Sequence, residues 1–222
     1  MFKHKNIILF LFLFCFLSTP LLSQIITIDS HIDIPFDYME NPQHDPGKIT
    51  DMQVDLAKMK KGGLDSGFFV VYVPQGPLDT AGFKKAKLLA EKKFLAISKM
   101  TKTYPNQIGL ALVPEDIIQL KKNNLLSAAI GIENGYVIGE DLSLLDHYYS
   151  LGARYMTLTH IGHNQIADSS MPSKRLNDKE ELHGGISAFG KKAIKRMNKL
   201  GMMIDISHIS DKASLEAIKL SS

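Results

Sequence analysis

Short apolar runs alternate with longer amphipathic ones six times along this chain, and that alternation restricts the fold more than any other feature. The apolar runs are Ile25–Asp33, Ser66–Val73, Ile108–Val113, Ala128–Glu133, Ala153–Thr159 and Met202–His208. Stretches such as GFFVVYV and YMTLT are dense in β-branched and aromatic residues, the composition of buried parallel strands. Between them, Asp51–Lys61, Thr80–Tyr104, Pro114–Asn123, Leu142–Leu151, Ile186–Leu200 and Asp211–Leu220 carry apolar residues at helical spacing. Gly62–Gly63, Gly152 and Gly201 follow helical segments, where a C-terminal glycine cap belongs. Strict βα alternation predicts a parallel α/β fold. The expected form is the (β/α)8 barrel of the TIM type, which takes about 250 residues for its eight units. The 222 residues here supply about six of the eight. No linker or repeat marks a second folded domain, and Gln75–Ala81 and Ser169–Gly185 read as long surface loops.

The N-terminal segment stands apart from this pattern. A basic start (Lys3, His4, Lys5) leads into an apolar run from Ile7 to Leu17 and then a Ser/Pro stretch. That is the layout of a secretory signal peptide, and the run is shorter than the roughly 20 residues of a bilayer span. The expected organisation is a signal at 1–23 and a barrel domain at 24–222. The mature protein is then periplasmic or extracellular, with no stable membrane insertion after cleavage. Cys15 is the only cysteine and falls in the signal, so disulfides and all-thiolate metal sites are excluded from the mature chain. The formal net charge of +3 forms no basic stripe, and there is no tryptophan; a nucleic-acid partner is not expected.

Chemistry gathers at the C-terminal ends of the strands. The first run, TIDSHIDIPFD, places His31 and Asp33 on one face by the two-residue period of a strand. The fourth ends at Glu133, the fifth at His160 and the sixth at His208. Barrel active sites are built at that face from several strand ends. Imidazole nitrogens and carboxylate oxygens together suit zinc. A carboxylate such as Glu133 has two oxygens and can bridge two metals, and such a pair activates a shared water. His163 reads as a neighbour of such a site. Asp29 and Asp205 read as local hydrogen-bonding residues, and His44, His147 and His183 receive no role.

The segment IDSHIDIP resembles the DGHNDLP-type opening of the membrane (renal) dipeptidases, peptidase family M19. IGIENGYVIGEDLSLLDHYYSLGARYMTLTHIGHNQIADSS is similar to that family's central block, and LGMMIDISHIS to its sixth-strand motif. The resemblance runs from about Thr27 to Ser210. It implies a zinc-dependent metallodipeptidase with two Zn2+ ions per active site, a bridging hydroxide and a dipeptide substrate, often with a D-residue at the C-terminal position. It carries His31 and Asp33 over as ligands of the first zinc, Glu133 as the bridging carboxylate and His208 as a ligand of the second. His160 becomes the histidine that contacts substrate and supports the tetrahedral intermediate. A homodimer is compatible with the resemblance. In that family a further ligand histidine, a substrate-binding arginine and a late aspartate follow, and this sequence stops before them. The expectation is therefore a C-terminally truncated relative, with an inactive chain of incomplete barrel and metal site as the alternative. Related amidohydrolases and phosphoesterases open more often with H-x-H than with the H-x-D seen here.

Overall fold

The computed structural model describes residues 25–222, so the expected signal at 1–23 lies outside the described residues. In chain order the elements are β1 (Ile28–Asp33), α1 (Leu56–Gly62), β2 (Ser66–Tyr72), α2 (Thr80–Thr103), β3 (Ile108–Leu110) and α3 (Pro114–Lys122). They continue with β4 (Leu126–Glu133), α4 (Ser143–Ser150), β5 (Ala153–Thr157), α5 (Ala188–Leu200), β6 (Met203–Asp205) and α6 (Asp211–Leu220). The α/β alternation expected from the sequence is present. All strands run parallel in one six-stranded sheet, ordered β1-β2-β4-β5-β6, with β3 paired to β4 off that path.

The position of β3 departs from a simple sequential barrel order. β2 pairs directly with β4 from Ser66↔Ser127 to Tyr72↔Glu133. β3 therefore takes the other edge of β4, at Leu126–Ala128, and β5 takes that same edge from Ile130 to Glu133. The third strand also ends earlier than expected. The backbone N–H groups of Leu112 and Val113 donate to Asp116 Oδ2 at 2.8 and 3.1 Å, so these residues turn into α3 instead of extending the ladder. The sixth strand stops at Asp205 for a similar reason: Asp205 Oδ1 accepts from the N–H of Ser207 at 2.9 Å, an Asx turn. The first helix begins at Leu56 because Asp55 caps it, accepting from Lys58 N at 2.8 Å.

The two faces of the sheet have different jobs. Ile32, Phe69, Val71, Ala128, Ile130, Ile132 and Met156 point to the helices and join the main core with Met59, Phe94, Ile97, Tyr148, Ile194 and Met197. Every residue of β4 is buried, as fits a strand covered on both faces. The opposite, concave face carries Phe68 and Tyr72 of β2, Gly131 and Glu133 of β4, and Tyr155 of β5. Tyr155 shows how strongly the sheet curves. Its ring passes over Gly131, lies 5.2 Å from the Phe68 ring, and its hydroxyl donates to Ser30 O of β1 at 3.2 Å. The outer edges of β1 and β6 have no strand partner among the described residues, and Ile28 and Met203 beside them are exposed. No described helix is long and apolar enough to cross a membrane.

Gly131 is where this curvature is most exposed to substitution, because a Cβ there would fall within the Tyr155 ring. Gly131→Ala is expected to destabilise the protein by about 1–3 kcal/mol, the usual cost of overpacking. Denaturant unfolding measures it, and an unchanged midpoint would show that Tyr155 can move aside freely.

Candidate metal centre

The concave face delivers five sequence-identified residues to one place. His31 and Asp33 leave β1 on the same side. The β1–β2 register shifts between Asp29 and Ile32, an irregularity of the kind that re-aims side chains. Asp29 fills the local role expected of it, accepting from His31 N at 2.9 Å. Glu133 is the last residue of β4, in register with Tyr72 and Thr157. His160 lies in the loop beyond β5, and His208 lies beyond the end of β6, in a loop and not in the strand Met202–His208 that the sequence suggested.

His208 adopts a left-handed backbone with φ of 66°. That region is costly for a residue with a Cβ and persists where the surroundings enforce it. Here the enforcement is visible. The His208 carbonyl accepts from Ser170 N at 2.8 Å and from the hydroxyls of Thr159, Ser169 and Ser170 at 3.1–3.2 Å. The turn before it is fixed by Asp205, which also accepts from the Thr157 hydroxyl.

Glu133 divides its two oxygens. Oε2 lies 3.5 Å from His31 Nε2, which is 4.0 Å from Asp33 Oδ2. Oε1 lies 3.3 Å from His208 Nε2 and 3.6 Å from His160 Nε2. Two groups capable of holding a metal ion result, His31–Asp33–Glu133 and Glu133–His160–His208, sharing Glu133. The residues fit such an ion on geometry. Ligand bonds of about 2.1 Å in a tetrahedral shell put donor atoms about 3.4 Å apart, close to these separations. On distance alone His160 stands where a ligand would, although the resemblance gave it a substrate contact.

The electrostatics follow from the same crowding. Burial pushes the Glu133 carboxyl up, but the hydrogen bond and charge of His31 and the charges of His160 and His208 outweigh it and leave the group below its ordinary value. Contact with Glu133 raises His31 against the opposing effect of burial. Burial lowers His160, with the His208 charge adding to it and the Glu133 charge opposing. The site thus favours the Glu133 anion and shifts two of its imidazoles in opposite directions.

Beneath these side chains lies a buried polar network that periodicity did not reveal. Asn134 donates to Val73 O and to Gln75 Oε1, both at 3.1 Å. Asn164 donates to Asn134 Oδ1 at 3.0 Å and to Leu158 O at 2.8 Å, and its own Oδ1 accepts from Ile166 N. Asp168 accepts from the N–H groups of Leu182, His183 and Gly185, so the supposed surface loop 169–185 is anchored at its far end. His163 is buried and accepts from Ser169 N at Nδ1 while contacting Lys179 O at Nε2; it braces this loop and touches neither metal-holding group. His183, given no role by sequence, contacts Asn164 O at 2.8 Å. The available signal was the Asn134–Gly135 turn directly after a strand ending in a carboxylate.

Burial raises the Asp168 carboxyl, but the three N–H donors and the nearby His163 together hold it below its ordinary value. A depressed folded value stabilises the protein above the unfolded value and the benefit is lost as pH falls through the folded one. Asp168→Asn is therefore expected to cost about 2 kcal/mol at pH 7 and to flatten the loss of stability below about pH 4. Urea unfolding across pH measures both; a variant with the wild-type acid slope would remove Asp168 from this role.

The family model for membrane dipeptidase (peptidase family M19) matches residues 18–222. Dipeptidase 3 of Mus musculus is 29% identical over 199 residues, covering 87% of this chain and 38% of that protein. The solved structure of the probable dipeptidase PvdM from Pseudomonas aeruginosa superposes with a TM-score of 0.84 at 31% identity, over 90% of this chain and 50% of that one. A metallopeptidase from Rhodobacter sphaeroides, solved with a phosphinate mimic of the dipeptide L-Ala-D-Ala, shares the fold at 19% identity and a TM-score of 0.73, over 89% of this chain and 63% of that one. The chain spans about half the length of the relatives it matches. A shared carboxylate between two imidazole-bearing groups, a parallel α/β sheet of the barrel type and a family match along nearly the whole sequence lead to one conclusion: the chain belongs to the membrane dipeptidase family, peptidase family M19.

Proposed function

We propose that this site serves the zinc-dependent hydrolysis of the peptide bond in dipeptides, with Glu133 shared by two ions. The observation that carries the reading is the division of the Glu133 oxygens between His31–Asp33 on one side and His208 on the other. Zinc ions bound here would supply Lewis acidity toward the peptide carbonyl and a water acidic enough to attack near neutral pH.

The chain's own residues do the rest. His31, Asp33 and Glu133 would hold one ion through three protein ligands. Glu133 and His208 reach toward the second. His160, kept neutral by its burial, holds one N–H that can donate to a developing oxyanion, which is where preorganised donors contribute most. The ring of Tyr72 sets its imidazole from the side, with centroids 4.9 Å apart. The phosphinate mimic of L-Ala-D-Ala in the Rhodobacter structure, which shares the fold, makes that dipeptide the substrate to test. A second reading is that the chain binds zinc with little turnover, and the unpaired outer edges of β1 and β6 favour it.

Zinc counting and an L-Ala-D-Ala assay on the purified protein test these roles. Glu133→Ala is expected to lose both ions, Asp33→Ala and His208→Ala to hold one ion each more weakly, and His160→Ala to keep both. Release of alanine by wild type that Glu133→Ala abolishes supports hydrolysis. Zinc bound without alanine release supports the second reading. Full zinc content in Glu133→Ala would overturn the shared-carboxylate proposal.

A further inference from the structure

Lys93 occupies the sheet-facing side of α2, in a stripe otherwise made of Ala86, Ala90, Phe94, Ile97 and Met100. Only 2% of the residue is exposed. Burying an ammonium group is costly unless it is paired or hydrogen-bonded. Among the described residues its Nζ makes one hydrogen bond, to the carbonyl oxygen of Ile34 at 2.7 Å, spanning from α2 to the residue that follows Asp33. The ring of Phe36 lies 4.6 Å away and that of Tyr72 5.7 Å away, within or near the reach of a cation–π contact. Tyr72 is the residue whose ring edge meets His160. One amine therefore touches the end of β1, the loop that leaves it and the end of β2. Burial lowers the amine to about 8 against the nearby charges of Asp33 and Glu133, which favour its protonation.

An apolar residue at this point of the stripe would pack against the sheet but leave the buried Ile34 carbonyl without this donor. The direction of the Asp33 side chain depends on the peptide that joins it to Ile34. We propose that Lys93 is a positioning residue, its ammonium clamping the Ile34 carbonyl so that Asp33 is aimed into the His31–Asp33–Glu133 site. The inference rests on the metal-centre reading above. It assigns Lys93 no contact with metal or substrate.

The test is a zinc titration of the full chain against a chromophoric chelator, with thermal unfolding of the metal-free proteins alongside. Lys93→Met and Lys93→Gln are each made in the wild-type and the Asp33→Ala backgrounds. Lys93→Met is expected to weaken zinc at the His31–Asp33–Glu133 site by about 10- to 100-fold, the range for groups that orient a ligand. Lys93→Gln, which keeps an N–H donor, recovers part of that loss. Neither substitution changes zinc affinity once Asp33 is alanine. A structural role alone would lower affinity equally in both backgrounds, and that result overturns the inference. So does wild-type affinity in a Lys93→Met protein that folds normally. If Lys93→Met does not fold, the coupling between Lys93→Gln and Asp33→Ala decides, and additive losses overturn the inference. Failure of the wild type to bind zinc overturns the metal reading and this one together, whereas the other negative results reach this one alone.

Discussion

A carboxylate at the end of a fully buried strand has to be compensated, and the Glu133 side chain is the constraint around which this structure is arranged. β4 is buried along its whole length, so Glu133 could not be retained there without partners. Three imidazoles supply them, from β1 on one side and from the loops after β5 and β6 on the other. Bringing those segments together requires the sheet to curve, and the Tyr155 ring lying over Gly131 toward β1 records that curvature. The strained backbone of His208 has the same origin. Its left-handed conformation is held by the donors that converge on its carbonyl.

The site is preorganised by a layer of buried polar contacts more than by apolar packing. Asn134 and Asn164 link the ends of β2, β4 and β5 through side-chain amides, and Asp168 gathers the backbone of the long loop onto the same platform. Each of these groups is satisfied by several partners. Groups that orient ligands commonly matter to metal affinity nearly as much as the ligands. The Lys93 clamp on Ile34 belongs to this logic, reaching the site from the helix side of the sheet.

Much of this was legible in the sequence because each part had a local signal. The two-residue period of IDSHID put His31 and Asp33 on one face, and an apolar run ending in Glu133 had no cheap explanation as ordinary core. Strand limits were less readable where side chains compete with the ladder. Asp116 captured the end of the third strand and Asp205 the end of the sixth, so His208 lies in a turn. The Asp205–Ile206–Ser207 pattern is an Asx-turn signal that could have shown this. The direct pairing of β2 with β4 depends on contacts across the whole sheet, which no local pattern encodes. Lys93 was visible in principle, since 86, 90, 93, 97 and 100 follow one helical stripe and only one of the five is charged. The partners of Asn164 and Asp168 lie in distant loops, and nothing in a single sequence pairs them.

The sharing of Glu133 is tested most directly by anomalous diffraction at the zinc edge from crystals grown with the metal. The account expects two anomalous peaks about 3.5–4 Å apart, one beside His31 and Asp33 and one beside His208, with a Glu133 oxygen on each. A single peak that leaves one Glu133 oxygen unligated, or zinc bound away from Glu133, would contradict it.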